Sequence, residues 1–70
     1  MSHKIIYLGQ NDLDYTVTFA IDNKRYEYAF PSPLAIEVVT YLLRKVSVGK
    51  AFAFAKKRGK LVEASHVPVR

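Results

Sequence analysis

Cysteine is absent from this 70-residue chain, which removes disulfides, thiolate zinc centres, iron–sulfur clusters and cysteine nucleophiles together. An uncrosslinked domain of this size suits a reducing compartment, so a cytoplasmic location is the expectation. Long apolar runs are absent as well. The opening Met-Ser-His-Lys-Ile-Ile-Tyr-Leu has too short an apolar stretch for a signal peptide. No segment approaches the roughly 20 apolar residues of a membrane span, so no membrane partner is expected. There are three glycines and no Gly-rich loop to cradle a phosphate. Repeats, low-complexity stretches and linkers are missing too. Carboxylates thin out along the chain, and Glu63 is the single one after residue 40.

These gaps leave little material for catalysis. His3 and His66 lie near the ends of the chain, where a general base is hard to hold within hydrogen-bond reach of a substrate. Ser47 with His66 can be drawn as a nucleophile pair, but no third group orients the base. Capping a helix is the preferred role for Ser47. Asp12 and Asp14 flank a turn, yet two carboxylates fall short of the spaced oxygens that a cation site needs. A non-enzymatic domain without metal or cofactor is the expectation.

What the chain does have is apolar material and pattern. Seventy residues make one domain, residues 1–70, with 65–70 expected to form a loose tail. Half of the residues are hydrophobic, and five tyrosines and four phenylalanines are among them, enough for a core and too many for a disordered chain. In Arg25–Phe30 the residues Tyr26, Tyr28 and Phe30 recur at every second position. That period sets three aromatics on one face of a strand. Lys4–Leu8 reads as a first strand ending at Gly9-Gln10-Asn11-Asp12, and Leu13–Ile21 alternates cleanly as a second. A two-residue turn at Asp22-Asn23 then sets Phe19 opposite Tyr26, Val17 opposite Tyr28 and Tyr15 opposite Phe30. A slip of one residue would turn the aromatics against Thr16 and Thr18, so the pattern defends this register.

Pro31 ends the third strand. Ser32 is placed to cap a helix with Pro33 at its first position. The spacing predicts a helix over 33–46 that buries Ala35, Val38, Val39, Leu42, Leu43 and Val46. Ser47 can cap a second helix, with Gly49 relieving the backbone at the joint. Residues 51–58 fit either a strand or a helix by pattern. Three alanines and a basic run favour the helix, with Gly59 as its C′ residue. Leu61-Val62 has the character of an additional short strand. The expected architecture is α+β: an antiparallel three-stranded β-meander followed by two helices packed on one face, in the order β-β-β-α-α.

A Tyr-x-Tyr at the end of a hairpin (Tyr26-Glu27-Tyr28), a proline-flanked helix start (Pro31-Ser32-Pro33) and Ser47-Val48-Gly49-Lys50-Ala51-Phe52 follow one another. Together they resemble the KTSC domain, a small domain at the C-terminus of some lysyl-tRNA synthetases that also occurs alone in bacterial and phage proteins. The resemblance spans roughly residues 7 to 60. It implies the same β-then-α fold, with Tyr26, Tyr28, Phe30 and Phe52 as a structural aromatic motif, and suggests RNA binding without implying an activity. Ala53 stands where the family usually has a polar residue, often Asn, and the helix between the two motifs is slightly longer than usual.

Charge is the best functional handle. Residues 1–40 hold three basic side chains against five acidic ones, a net −2, while residues 41–70 hold eight against one, a net +7. Arg44, Lys45, Lys50, Lys56, Lys57, Arg58 and Lys60 are the candidate nucleic-acid-binding residues, because such side chains neutralise phosphates and release counterions. They form one patch if the two helices lie side by side. Tyr26 and Tyr28 are better used in the core than as base-stacking platforms, which leaves Tyr7 and Tyr41 freer for an exposed contact. The alternative partner is an acidic protein surface, met by the same charges with exposed Phe54 as anchor.

Overall fold

Alternating apolar residues on short, closely connected strands build a meander before any helix begins. The computed structural model describes the backbone of residues 4–66 and the side chains of residues 4–62. Strand β1 (Ile5–Asn11) pairs antiparallel with β2 (Thr16–Ile21), and β2 with β3 (Lys24–Ala29). Val17 opposes Tyr28 and Phe19 opposes Tyr26, as the alternation requires. Asp22 and Asn23 close this hairpin with φ of 51° and 66°, the left-handed pair of a type I′ turn, and both tolerate it. The Phe30 N–H donates to the Tyr15 carbonyl at 2.9 Å, carrying the pairing one step past β3.

The first hairpin departs from expectation. β1 runs on through Gly9-Gln10-Asn11 instead of stopping at Leu8, and β2 starts at Thr16 instead of Leu13. Asn11 is the cause: its side-chain oxygen accepts the Leu13 N–H at 2.9 Å, a local bond that competes with the ladder. Leu13 is left 91% exposed. Tyr15 closes the turn at φ 54°, a backbone state that costs a bulky residue on the order of 1–3 kcal/mol. Gly9, at φ 148°, absorbs a bulge between Tyr7 and Gly9 that bends the strand.

Helix α1 (Pro33–Lys45) starts at Pro33 as expected, but the Ser32 side chain makes no capping bond. Its buried stripe keeps four of the six expected residues and takes in Ile36 where Val38 and Val46 were expected. Ile36 and Val39 are deepest, Ala35, Leu42 and Leu43 pack beside them, and Val38 and Val46 are exposed. Val46 has left the helix, and its N–H bonds the Leu42 carbonyl at 3.0 Å. Helix α2 (Val48–Arg58) begins directly after Ser47, the expected cap, whose hydroxyl oxygen accepts the Lys50 N–H at 3.1 Å, and the ambiguous stretch 51–58 is helical.

Both helices cover the same face of the sheet, and α2 lies nearer to it. Ala51 and Ala55, both fully buried, bring its backbone close. Phe52 then reaches Phe19, Tyr26 and Tyr28, edge to face, with centroids 5.3, 6.1 and 5.9 Å away. Phe54 diverges from it, as helical spacing demands, and stacks on Phe30 at 5.9 Å. The shared core joins Val17, Phe19, Tyr28 and Phe30 of the sheet region to Ile36, Val39, Ala51 and Ala55 of the helices.

A full fourth strand follows, β4 (Lys60–His66), adding to β3 for a sheet order β1-β2-β3-β4. Leu61-Val62 docks, and the strand continues until Ser65 and His66 pair with Arg25 and Lys24. These two residues therefore belong to the ladder and not to the expected tail, of which 67–70 lie outside the described residues. Gly59 ends α2 as expected, its N–H donating to the Ala55 carbonyl at 2.8 Å, with an extended backbone at φ −90°. Its glycine is needed for space: a Cβ would meet the Ala55 carbonyl oxygen at 2.8 Å and the Phe30 ring at 3.0 Å. At Gly49 the nearest such neighbour is the Ser47 hydroxyl, at 3.9 Å.

Two stability tests follow from this packing, each read by urea unfolding. Gly59→Ala should cost about 1–3 kcal/mol through overpacking, whereas Gly49→Ala should gain about 0.5–1 kcal/mol of helix propensity. Equal effects at the two glycines would contradict the close approach at Phe30. Phe52→Ala, which leaves three rings without their shared neighbour, should cost about 3–5 kcal/mol. A loss below 1 kcal/mol, on the scale of an ordinary surface change, would mean that the aromatic cluster does not hold the sheet to α2.

Candidate nucleic-acid interface

All seven basic residues singled out from sequence are exposed, and no acidic residue lies between Glu37 and Glu63. Folding does not gather them into one cluster. Arg44 and Lys45 occupy the last turn of α1, and Lys50 follows in the first turn of α2. Lys56, Lys57 and Arg58 form the last turn of α2, and Lys60 begins β4. The stacking of Phe54 on Phe30 and the approach of Gly59 to the same ring show that α2 returns toward the start of α1. The two helices do pack together, but this return sets the two basic groups at opposite ends of the pair. They are about 15 Å apart along α2 at about 1.5 Å per residue. Lys50 in the first turn of α2 and Lys57 in the last lie seven residues apart on the same exposed face, so the two groups line one side of the helix as a discontinuous stripe.

Position on the helices also sets the local potential. Lys56, Lys57 and Arg58 lie where the macrodipole of α2 is negative, so their charges stabilise the helix. Lys50 lies at the positive end, where its charge adds to that of the free N–H groups.

The other expectations sort by burial. Tyr28 is buried, and no buried polar side-chain atom among the described residues lacks a partner; its hydroxyl is at the solvent rim. Tyr26 packs against Phe52 on one side and has the Lys24 ammonium 5.6 Å from its ring centroid, so both tyrosines serve the core and not a stacking platform. Phe54 is half-buried on Phe30 and not an exposed anchor. Tyr7 is half-buried as well, its ring edge-on to Phe19 at 5.5 Å. Its hydroxyl donates to Gln10 Oε1 at 3.0 Å, and Gln10 Nε2 donates to Asp12 Oδ1 at 2.8 Å. Tyr41, in contrast, is 59% exposed.

Ser47 spends its hydroxyl on the α2 cap; His3 and the His66 side chain lie outside what the structure describes. Asp14 faces Asn11 Nδ2 at 3.5 Å within its own turn. Among the described residues, no three His, Asp or Glu side chains are grouped to hold a metal ion. No helix among them is long and apolar enough to cross a membrane.

Sequence reasoning missed a groove. It runs between α1 and the β1–β2 turn, with a volume of about 500 Å³. Tyr15 and Asp12 line it from the turn, while Glu37, Tyr41, Arg44 and Lys45 line it from α1, with Ile36 among the lining residues. Tyr41 and Glu37 lie four residues apart and Arg44 another three on, a helix-face spacing that was readable in the sequence. The opposing wall was not readable, because it depends on the turn displacing Tyr15.

No protein-family model, no curated protein and no solved structure matches this chain.

Burial, with a smaller addition from the Asp12 carboxylate, raises the Tyr7 phenol above its ordinary value of 10.0. Burial followed by Tyr26 does the same for Tyr28. A group whose pKa is raised by folding stabilises the native state below its unfolded pKa and loses that contribution as pH climbs through the folded value. Stability should therefore fall above about pH 10. Replacing both tyrosines by Phe should reduce the fall, as read from melting temperatures on either side of that pH. Parallel declines in parent and variant would exclude these phenols as its source.

Proposed function

We propose that this chain is a small, non-catalytic, KTSC-like binding domain of a reducing cytoplasm, and that its basic helical stripe binds RNA or other nucleic acid weakly and without reading sequence. The observation that carries the reading is the set of seven exposed Lys and Arg residues across the two helices and the start of β4, with no carboxylate in the sequence between Glu37 and Glu63. Phosphates met by such side chains release condensed counterions, a gain that needs neither base contacts nor a preformed pocket. Lys50 and Lys57 place positive charge at the two ends of one face of α2, a spacing that a flexible backbone can follow. Ala53 on the outer face of α2, where KTSC domains usually have a polar residue, leaves this surface to act by charge. An acidic protein partner is the alternative, supported by the same charges but without Phe54 as an anchor.

Affinity for a mixed-sequence single strand should fall linearly with salt on logarithmic axes. About four phosphate contacts at roughly −0.7 each predict a slope near −3. Replacing Lys56, Lys57 and Arg58 with Ser should flatten that slope and leave the melting temperature nearly unchanged, since exposed charges contribute little to stability. Fluorescence anisotropy at several salt concentrations measures both. Absence of binding to RNA and DNA at the lowest salt, where screening is weakest, would reject the reading in favour of the protein partner.

A further inference from the structure

We infer that the groove between α1 and the β1–β2 turn holds one unstacked base of a bound single strand, with the base between Tyr15 and Tyr41 and its phosphate on Arg44 and Lys45. This deepens the reading of the basic stripe and rests on it.

The first ground is the backbone of Tyr15. It sits at φ 54°, where a glycine is free of strain and a bulky ring is not. The neighbouring hairpin meets the same demand with Asp22 and Asn23, short polar residues that tolerate positive φ. Tyrosine is thus a side chain that local conformation disfavours at this position. The residue is 36% exposed and lines the groove. Strain of this kind concentrates where a side chain is held for a ligand.

The second ground is the opposite wall. Tyr41 stands 59% exposed on α1 and lines the same groove. Two accessible aromatic rings across a cleft of about 500 Å³ fit a small planar ligand, since ligand clefts run from roughly 300 to 1,000 Å³. Bases of single strands stack on tyrosines in this manner, whatever their sequence.

The third ground is the order of charge along α1. Glu37 comes first, Tyr41 next, and Arg44 and Lys45 last. A phosphate is repelled at the Glu37 end and attracted at the Arg44 end, which orients the nucleotide. Asp12, opposite, is held by Gln10, which is itself held by the Tyr7 hydroxyl. Carboxylates accept from the amino groups of bases, as from N4 of cytosine. Cytosine carries such a group and uracil does not, so a strand of cytosines should be preferred to one of uracils. In a duplex the base faces are stacked and the pairing edges occupied, and the groove cannot take them.

The test titrates the full chain, at one low salt concentration, with equal-length strands of oligo-C, oligo-U and an abasic backbone, and with a duplex. The parent should bind oligo-C several-fold more tightly than oligo-U, and both more tightly than the abasic strand and the duplex. Tyr41→Ala should weaken oligo-C binding about tenfold, within the range of one base–aromatic stack, and leave abasic binding unchanged. Tyr15→Gly should weaken it similarly while melting no lower than the parent. Equal binding of all four ligands, insensitive to both substitutions, would overturn the groove and leave the basic stripe standing. So would a Tyr15→Gly protein that melts well below the parent, because the ring would then be serving the fold. Failure of every strand to bind would remove the stripe and the groove together.

Discussion

Phe52 is the contact on which the rest depends. It is the point where a helix meets three rings of the sheet at once, Phe19, Tyr26 and Tyr28. Each edge-to-face pair contributes roughly 0.5–1.5 kcal/mol beyond the apolar area it buries, and a domain of this size has few other places to find that much. The contact forms only because Ala51 and Ala55 let the backbone of α2 approach the sheet. The same closeness limits the exit from α2. Gly59 passes within van der Waals reach of Phe30, and only a residue without a side chain can make the turn into β4.

Burying the aromatic face leaves charge outside. The helices spend their apolar side on the core and on each other, so every Lys and Arg of 44–60 is turned to solvent. The acidic residues collect in the first forty positions, and two of them, Asp12 and Glu37, meet at the groove. A basic stripe with a mixed-charge, tyrosine-lined cleft beside it is a different surface from a uniform basic patch. The stripe attracts a polyanion at a distance, whereas the cleft distinguishes ligands only on contact.

The hairpin β2–β3 was legible from residues alone because side chains alternate with a period of two. A slip of one residue would turn Tyr26 and Tyr28 away from Val17 and Phe19, and the two-residue turn at Asp22-Asn23 fixes the register among those that remain. The two helices were legible for a similar reason, through Pro33, Ser47 and the apolar repeat. Tyr15 was not. The alternation of Leu13, Tyr15 and Val17 continues a strand on paper, but the Asn11 side chain captures the Leu13 N–H and begins a turn instead. The stripe of α1 was legible at Ala35, Val39, Leu42 and Leu43, but that helix answers to α2 as well as to the sheet, and the sum of the two neighbours selects Ile36 over Val38.

Local period thus determined which residues pair, which segments coil and which aromatics build the core. Tertiary structure decided which surface groups become neighbours. Exposed residues such as Arg44, Lys50 and Lys57 are under no packing constraint that a linear pattern records, and their spacing in space follows from the return of α2 toward the start of α1. The groove is the clearest case. Its walls come from residues 10–15 and 33–45, stretches with no shared period, and they face each other only once the aromatic core has drawn the helices onto the sheet.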